Sequence, residues 1–290
     1  METRIVELKG QQWVEKRALC PEAKQHIDNI PLNYEKLLGH YGERIVPVGC
    51  EKMNDAIQFA YIDGAPLIDS RMLKNMSVDD IVELVKKTLQ LIMGNMSGEP
   101  HAFSMSDDFC KLFPDCEPMG MQSYDIANMD AIFSNFVVSG NQVYCIDYEW
   151  IFDFDIPMEY LEYRAVLYFY RENICFLKDR VTKNDFLVMC GIREGNILLF
   201  DKMEYCFQEL VHGKETKYIY TERYKKPVET VEELRGIIRD KEVHIQNLTA
   251  MLEKRKRYIS HLKSAIKNPK YGVELLKKKR AGTQEGKRRG

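Results

Sequence analysis

Asp130 is followed five residues later by Asn135 and twelve residues after that by Asp147. These residue types suit phosphoryl transfer, which needs a carboxylate beside the attacking hydroxyl, oxygen ligands for magnesium on the phosphates, and a cation against those phosphates. Asp130 would act as the base, with Asn135 and Asp147 holding the metal. DAIFSN alone does not specify that chemistry, because Asp and Asn also serve as turn residues and helix caps. Its surroundings add weight: a helix precedes it, an apolar strand follows Asn135, and Asp147 lies inside VYCIDYEW. An Asp at the end of an apolar strand is costly without a ligand or partner. Ser139-Gly140-Asn141 punctuates a hairpin that would bring Asn135 and Asp147 to one end of a sheet, with Asp130 across from them.

The elements that must position these residues are written in the periodicity. TRIVELKGQQWVEKRAL alternates around Lys9-Gly10 as a β-hairpin does, and PEAKQHIDNIPLNYEKLLGHY carries Ile27, Ile30, Leu37, Leu38 and Tyr41 at helical spacing. Pro21 suits a first helical turn, and Pro31 is expected to bend or divide the helix. A second β segment, IVPVGCEKMNDAIQFAYIDG, ends at Gly64. Ser77, with Asp80 three residues on, caps a helix whose apolar face runs through Ile81, Leu84, Val85, Leu89 and Ile92. Residues 97 to 124 have no clear period and are expected to form a long, partly ordered loop. AIFSNFVV and QVYCIDYEW read as two β runs, and from Met158 to about Val211 the pattern is mainly helical. The sum is an α+β chain with two lobes.

With 290 residues, 45% of them hydrophobic, the chain can bury a sizeable core. Its net charge of -2 conceals a polarity: residues 277 to 290 hold seven Lys or Arg and one Glu, against 35 basic and 43 acidic residues before them. A basic tail is either a solvated end or a contact for phosphates of an anionic membrane surface. No nucleic-acid partner is expected, since aromatic residues are not interleaved with that charge as single-strand binding requires. The eight cysteines form no CxxC pair and several sit in apolar runs, as reduced core residues do. A reducing, cytoplasmic setting is expected, with any membrane contact peripheral, since no apolar run approaches the roughly 20 residues that span a bilayer. METRIVELKG lacks the continuous apolar core of a secretory signal.

NMDAIFSNFVVSGNQVYCIDYEW resembles the catalytic and metal-binding loops of the protein kinase and aminoglycoside phosphotransferase fold. Asp130 and Asn135 match the HRDxxxxN pattern and Asp147 the magnesium-binding Asp. The resemblance extends over roughly residues 3 to 215 and implies further roles. Lys16, in WVEKRAL, falls where the phosphate-contacting lysine stands, or else is a solvated residue on an exposed face. Glu35 is implied as its ion-pair partner, with Glu22 second. FAYIDG is similar to the hinge, where backbone groups of Tyr61 and Ile62 would face adenine. ATP and magnesium are the implied cofactors. The chain also departs from the pattern. Asn128 stands in place of the His, Tyr148-Glu149 replace Phe-Gly, and ELKGQQW has one glycine where a Gly-rich loop would cover the phosphates. A closer likeness is to the kinase-like segments of bacterial cell-surface polysaccharide (O-antigen) proteins, including methyltransferase and kinase proteins that end in a coiled coil.

From Val231 the apolar residues follow a heptad: Val231, Ile238, Ile245, Leu252, Ile259 and Ile266 at a, Leu234, Leu248 and Leu262 at alternate d positions, and Lys241 and Arg255 between. The expected organisation is α+β: a two-lobed kinase-like domain with a reduced N-terminal lobe (1–63) and a mainly helical C-terminal lobe (64–222). A coiled coil (228–268) that finds an oligomer or partner follows, then a basic tail (269–290). The expected activity is transfer of the ATP γ-phosphoryl group to a hydroxyl, of a saccharide or glycan in polysaccharide biosynthesis. The alternative is a catalytically inactive scaffold, or a fragment of a larger methyltransferase or glycosyltransferase protein, whose coil organises a glycan-assembly complex. Four side chains lie outside these roles: Glu149 and Trp150, which could orient the metal site or bind an acceptor sugar by stacking, Trp150 being otherwise a core residue; His101 as an acid-base group or a satisfied loop residue; and Arg164 as a clamp on a carboxylate.

Overall fold

The computed structural model describes residues 1 to 8, residues 10 to 225 (backbone alone at 22 and from 214 on), and a scatter of positions between 245 and 267. The chain divides into two units, Met1–Pro227 and Val228–Gly290.

The first unit opens with the expected hairpin, β1 (Glu2–Leu8) and β2 (Gln11–Arg17), turning at Gly10 with φ of 78°. Helix α1 (Pro21–Leu38) follows as one continuous helix. Pro31 does not divide it. An interior proline costs about 3 kcal/mol, while burying an Ile or Leu side chain returns about 1.5–3 kcal/mol. The stripe Ile27, Ile30, Leu37, each at most 1% exposed, outweighs the lost hydrogen bond.

The segment read as one β run is three strands: β3 (Ile45–Pro47), β4 (Cys50–Met53) and β5 (Ala56–Ala60). Strands β4 and β5 form a hairpin about Asn54, at φ 52°, and complete an antiparallel sheet of order β1-β2-β5-β4. Strand β3 instead joins a second sheet. After the two-residue β6 (Ala65–Pro66), helix α2 (Val78–Met93) begins at the anticipated capping box, with Asp80 N–H donating to Ser77 Oγ.

Residues 97 to 124 carry short ordered elements within the expected loop. They contain β7 (His101–Ala102), the short helix α3 (Asp107–Leu112) capped by Ser106, and β8 (Gln122–Ser123), which pairs with β7. Phe109 and Phe113 anchor this stretch, both at 0% exposure. Strand β9 (Ala127–Asn128) comes next. AIFSNFVV is then only half a strand: a 3-10 turn occupies Phe133–Asn135, and β10 starts at Phe136 (Phe136–Ser139). It pairs with β11 (Gln142–Cys145) across Gly140 at φ 60°.

The second sheet has the order β3-β11-β10-β6 and so takes strands from both sides of residue 64. Gly64 lies tight against β10, where a Cβ would stand 2.4 Å from the Val138 carbonyl oxygen. After β12 (Ile151–Phe152) the chain is helical: α4 (Met158–Glu172), α5 (Ile174–Leu177), α6 (Lys183–Met189) and α7 (Ile197–Lys225), the last interrupted at Gly213 with φ 71°. Tyr160, Tyr163, Phe186 and Phe200 fill the core among these helices, all at 0% exposure.

In the second unit, Ile245, Leu248, Leu252, Arg255 and Ile259 of the heptad are helical, and the four apolar ones are exposed. Val231, Leu234, Ile238, Lys241, Leu262, Ile266 and the basic tail lie outside the described residues.

Candidate active site

Lys16 sits on β2, flanked by β1 and β5, with Thr3 and Ile57 as its register partners. Successive strand residues point to opposite faces, and here both neighbours are buried. Glu15, on one face, accepts hydrogen bonds from Arg4 Nε (2.9 Å) and Gln58 Nε2 (3.1 Å). Lys16, on the other, is 4% exposed, and its Nζ lies 2.7 Å from Asp147 Oδ1 and 2.5 Å from Glu149 Oε1. Burial opposes its charged form, but the Asp147 and Glu149 carboxylates outweigh that and hold its pKa above the ordinary lysine value. Lys16 is therefore not a solvated surface residue.

Asp130 is placed by β9, which pairs with β12 and so fixes residues 127 to 130 against the segment after Asp147. The Trp150 backbone N–H donates to Asp130 Oδ2 at 2.8 Å, and Met129 N–H donates back to the Trp150 carbonyl at 3.0 Å. Asn128 braces this loop, its Oδ1 accepting the Asp130 N–H at 2.8 Å and its Nδ2 donating to the Tyr41 hydroxyl at 3.0 Å. Burial pushes the Asp130 carboxyl up to about 7, Asp147 and Glu149 add to the rise, and the Trp150 N–H opposes it.

The 3-10 turn brings Asn135 back beneath Asp130, where its Nδ2 donates to the Asp130 carbonyl at 3.0 Å. Its backbone carbonyl accepts the Ile146 N–H at 2.9 Å, which sets Asn135 beside the start of the Asp147 segment. With the amide nitrogen committed, Asn135 Oδ1 accepts no hydrogen bond among the described residues. Asp147 is the most open of the group, its side chain 34% exposed against 17% for Glu149 and 5% for Lys16.

Two further residues stand differently from expectation. Glu35 is exposed and does not meet Lys16; the carboxylates on the ammonium are Asp147 and Glu149. The reason is helical phase. Asn33, two residues earlier, faces the site, and two residues turn a helix by about 200°. The Glu22 side chain lies outside those described. At the segment between β5 and β6, the Tyr61 N–H already donates to the Gln12 carbonyl at 3.3 Å, while Ile62 backbone groups make no hydrogen bond among the described residues.

Sequence reasoning missed Asn33 and gave Glu149 only a loose role. The Asn33 Nδ2 donates to the backbone carbonyls of Tyr148 (3.1 Å) and Glu149 (2.9 Å). A polar residue on the apolar stripe of α1, six residues after Ile27, was the available signal. Below the site, the Arg164 Nε donates to the Met129 carbonyl at 3.2 Å and its guanidinium pairs with buried Glu204, so this clamp on a carboxylate is internal. Trp150 packs between His26 (ring centroids 4.6 Å apart) and Phe207 (5.6 Å). His101 Nε2 lies 3.1 Å from Asp155 Oδ1.

No protein-family model matches the chain, and no curated protein matches it. Among solved structures, a macrolide 2'-phosphotransferase from Brachybacterium faecium is similar at 10% identity over 79% of this chain and 90% of that one, with a TM-score of 0.37. A choline kinase from Streptococcus pneumoniae is similar at 14% identity over 78% and 84%, with a TM-score of 0.39. A thermostable aminoglycoside phosphotransferase, in ternary complex with AMP-PNP and hygromycin B, is similar at 10% identity over 77% and 91%, with a TM-score of 0.36. At these scores the likeness carries no functional weight; the site's own geometry does.

Proposed function

We propose that the chain is an ATP-dependent phosphotransferase that moves the γ-phosphoryl group to a hydroxyl acceptor. The observation that carries this reading is the buried Lys16 ammonium held 2.7 Å from Asp147, a residue 131 positions away. Burying a lysine is costly unless its charge is paired, and one of the two carboxylates that pair it here, Asp147, remains partly open. A strand-borne ammonium beside a partly open carboxylate is an arrangement that can receive a phosphate and its metal together.

The roles follow from the contacts. Lys16 has three N–H donors and spends two on carboxylates, leaving one for phosphate oxygen. Asp130, with a carboxyl pushed up to about 7, takes the proton of the acceptor hydroxyl at neutral pH and above. Asn135 Oδ1 and the Asp147 carboxylate are the hard oxygen donors that would hold magnesium. Among the described residues no group of three or more His, Cys, Asp or Glu side chains is gathered to hold a metal. That fits an ion that takes one or two protein oxygens and completes its shell with phosphate and water. Bound there, it would neutralise charge on the phosphates. The free backbone groups of Ile62, more than the committed Tyr61 N–H, suit the adenine edge.

A saccharide or glycan hydroxyl of polysaccharide assembly is the acceptor class proposed, on the sequence resemblance. The heptad of 228–268 is proposed as an oligomerising coil and the basic tail as a peripheral membrane contact. One observation favours the second reading, an inactive scaffold. The β1–β2 connection is a tight turn with a single glycine, too short to cover phosphates with backbone amides.

The two readings separate with γ-labelled ATP, magnesium and a pool of lipid-linked saccharides. Label transferred by the unmodified chain and lost in Asp130→Asn supports the enzyme. ATP binding without transfer or hydrolysis supports the scaffold.

A further inference from the structure

We infer that Glu149 is the positioning residue that holds Lys16 toward the nucleotide phosphates, and that helix α1 braces it through Asn33. This rests on the phosphotransferase reading and moves to Glu149 the role expected of Glu35.

Asp147 and Glu149 both touch the ammonium, but they are placed for different roles. Asp147 is the more exposed, with a side chain open enough to take a metal ion, and Glu149 is the more buried. An Asp147 carboxylate that turns to a cation gives up its bond to Lys16. Glu149 then remains as the anion that keeps the ammonium in place.

The Glu149 backbone is fixed from three directions. Asn33 Nδ2 ties the carbonyls of residues 148 and 149 to α1, the Tyr148 hydroxyl donates to the Val48 carbonyl at 2.5 Å, and the Trp150 N–H is bound to Asp130. Along α1 the same face carries His26 against Trp150 and Lys36 bonded to Asp153 at 3.0 Å. Helix α1 is thus pinned lengthwise to residues 148 to 153. A glutamate at position 35 points elsewhere.

The test uses the full chain, with Glu149→Gln and Glu35→Gln compared by steady-state ATP kinetics, kcat and KM read separately, and by melting temperature without nucleotide. Glu149→Gln is expected to lower kcat/KM for ATP at least tenfold, mainly through KM, with a melting temperature near that of the unmodified chain. Glu149→Asp is expected to recover part of the loss, and Glu35→Gln to match the unmodified chain. If Glu149→Gln does not fold, Glu149→Asp carries the comparison, its carboxylate one methylene short; an unaltered KM for ATP then overturns the inference. It is also overturned if Glu35→Gln reproduces the loss, or if Glu149→Gln leaves kcat and KM unchanged while Lys16→Ala abolishes ATP binding. That last pattern leaves the phosphotransferase reading standing. An unmodified chain that binds no ATP with magnesium removes both.

Discussion

Asp130 shows how a side chain acquires chemistry from its neighbours. It is partly buried, lies near the charges of Asp147 and Glu149, and its carboxyl accepts the backbone N–H of Trp150. Its carboxyl, pushed up to about 7, is protonated below that pH and ionised above it. For a general base the sign is fixed: kcat/KM is expected to rise with pH through about 7, measured as the initial rate at limiting ATP. Asp130→Asn keeps the hydrogen bond but not the proton affinity. It is expected to lower kcat by roughly 10² to 10⁴ with ATP affinity near that of the unmodified chain, read by steady-state kinetics and calorimetry. The residue types at 130, 135 and 147 and their spacing were legible in the sequence, because oxygen ligands and a base are scarce in apolar strands. The Lys16 partner was not. Choosing between Glu22, Glu35 and Glu149 requires the rotation of α1 about its axis relative to a strand distant in sequence, and no local pattern encodes that.

Elements whose ends carry a chemical signal were legible. Gly10 and Gly140 marked hairpins because their positive φ suits tight turns, and Ser77 with Asp80 marked the start of α2. Strands of two residues, such as β7 and β8, are shorter than any alternation can register, so residues 97 to 124 read as loop although Phe109 and Phe113 are core. The turn at Phe133–Asn135 was hidden for another reason: it exists to bring Asn135 to the Asp130 carbonyl, a tertiary demand that overrides the β preference of its residues. Helices α4 and α7 are joined to this loop by a buried ion pair. Arg164 bonds Glu204 and the Met129 carbonyl and stacks on Phe207, 4.4 Å from the ring centroid. Arg164→Met would strand the Glu204 charge among Tyr160, Tyr168 and Gln208. A loss of about 3–5 kcal/mol is expected in urea denaturation, since breaking one side of a buried pair leaves the other uncompensated. Catalysis should fall with it, because Met129 precedes Asp130.

On the scale of the whole molecule, Met1–Pro227 holds every residue of the candidate site, and Val228–Gly290 holds the heptad and the basic residues. Ile245, Leu248, Leu252 and Ile259, exposed on helical backbone, are four of the heptad positions on which the coil is proposed. Deleting 228 to 290 is expected to leave ATP affinity unchanged and to convert an oligomer into a monomer, measured by sedimentation at micromolar concentration. A monomeric full-length chain removes the oligomer proposal. The central claim, that Lys16 and Asp147 form a nucleotide–metal site, is tested most directly by calorimetric titration of ATP with magnesium into the unmodified chain, Lys16→Ala and Asp147→Ala. The expected result is saturable, magnesium-dependent binding to the unmodified chain, lost in Asp147→Ala and weakened at least tenfold in Lys16→Ala. Absence of binding to the unmodified chain, or equal binding to all three, would contradict it.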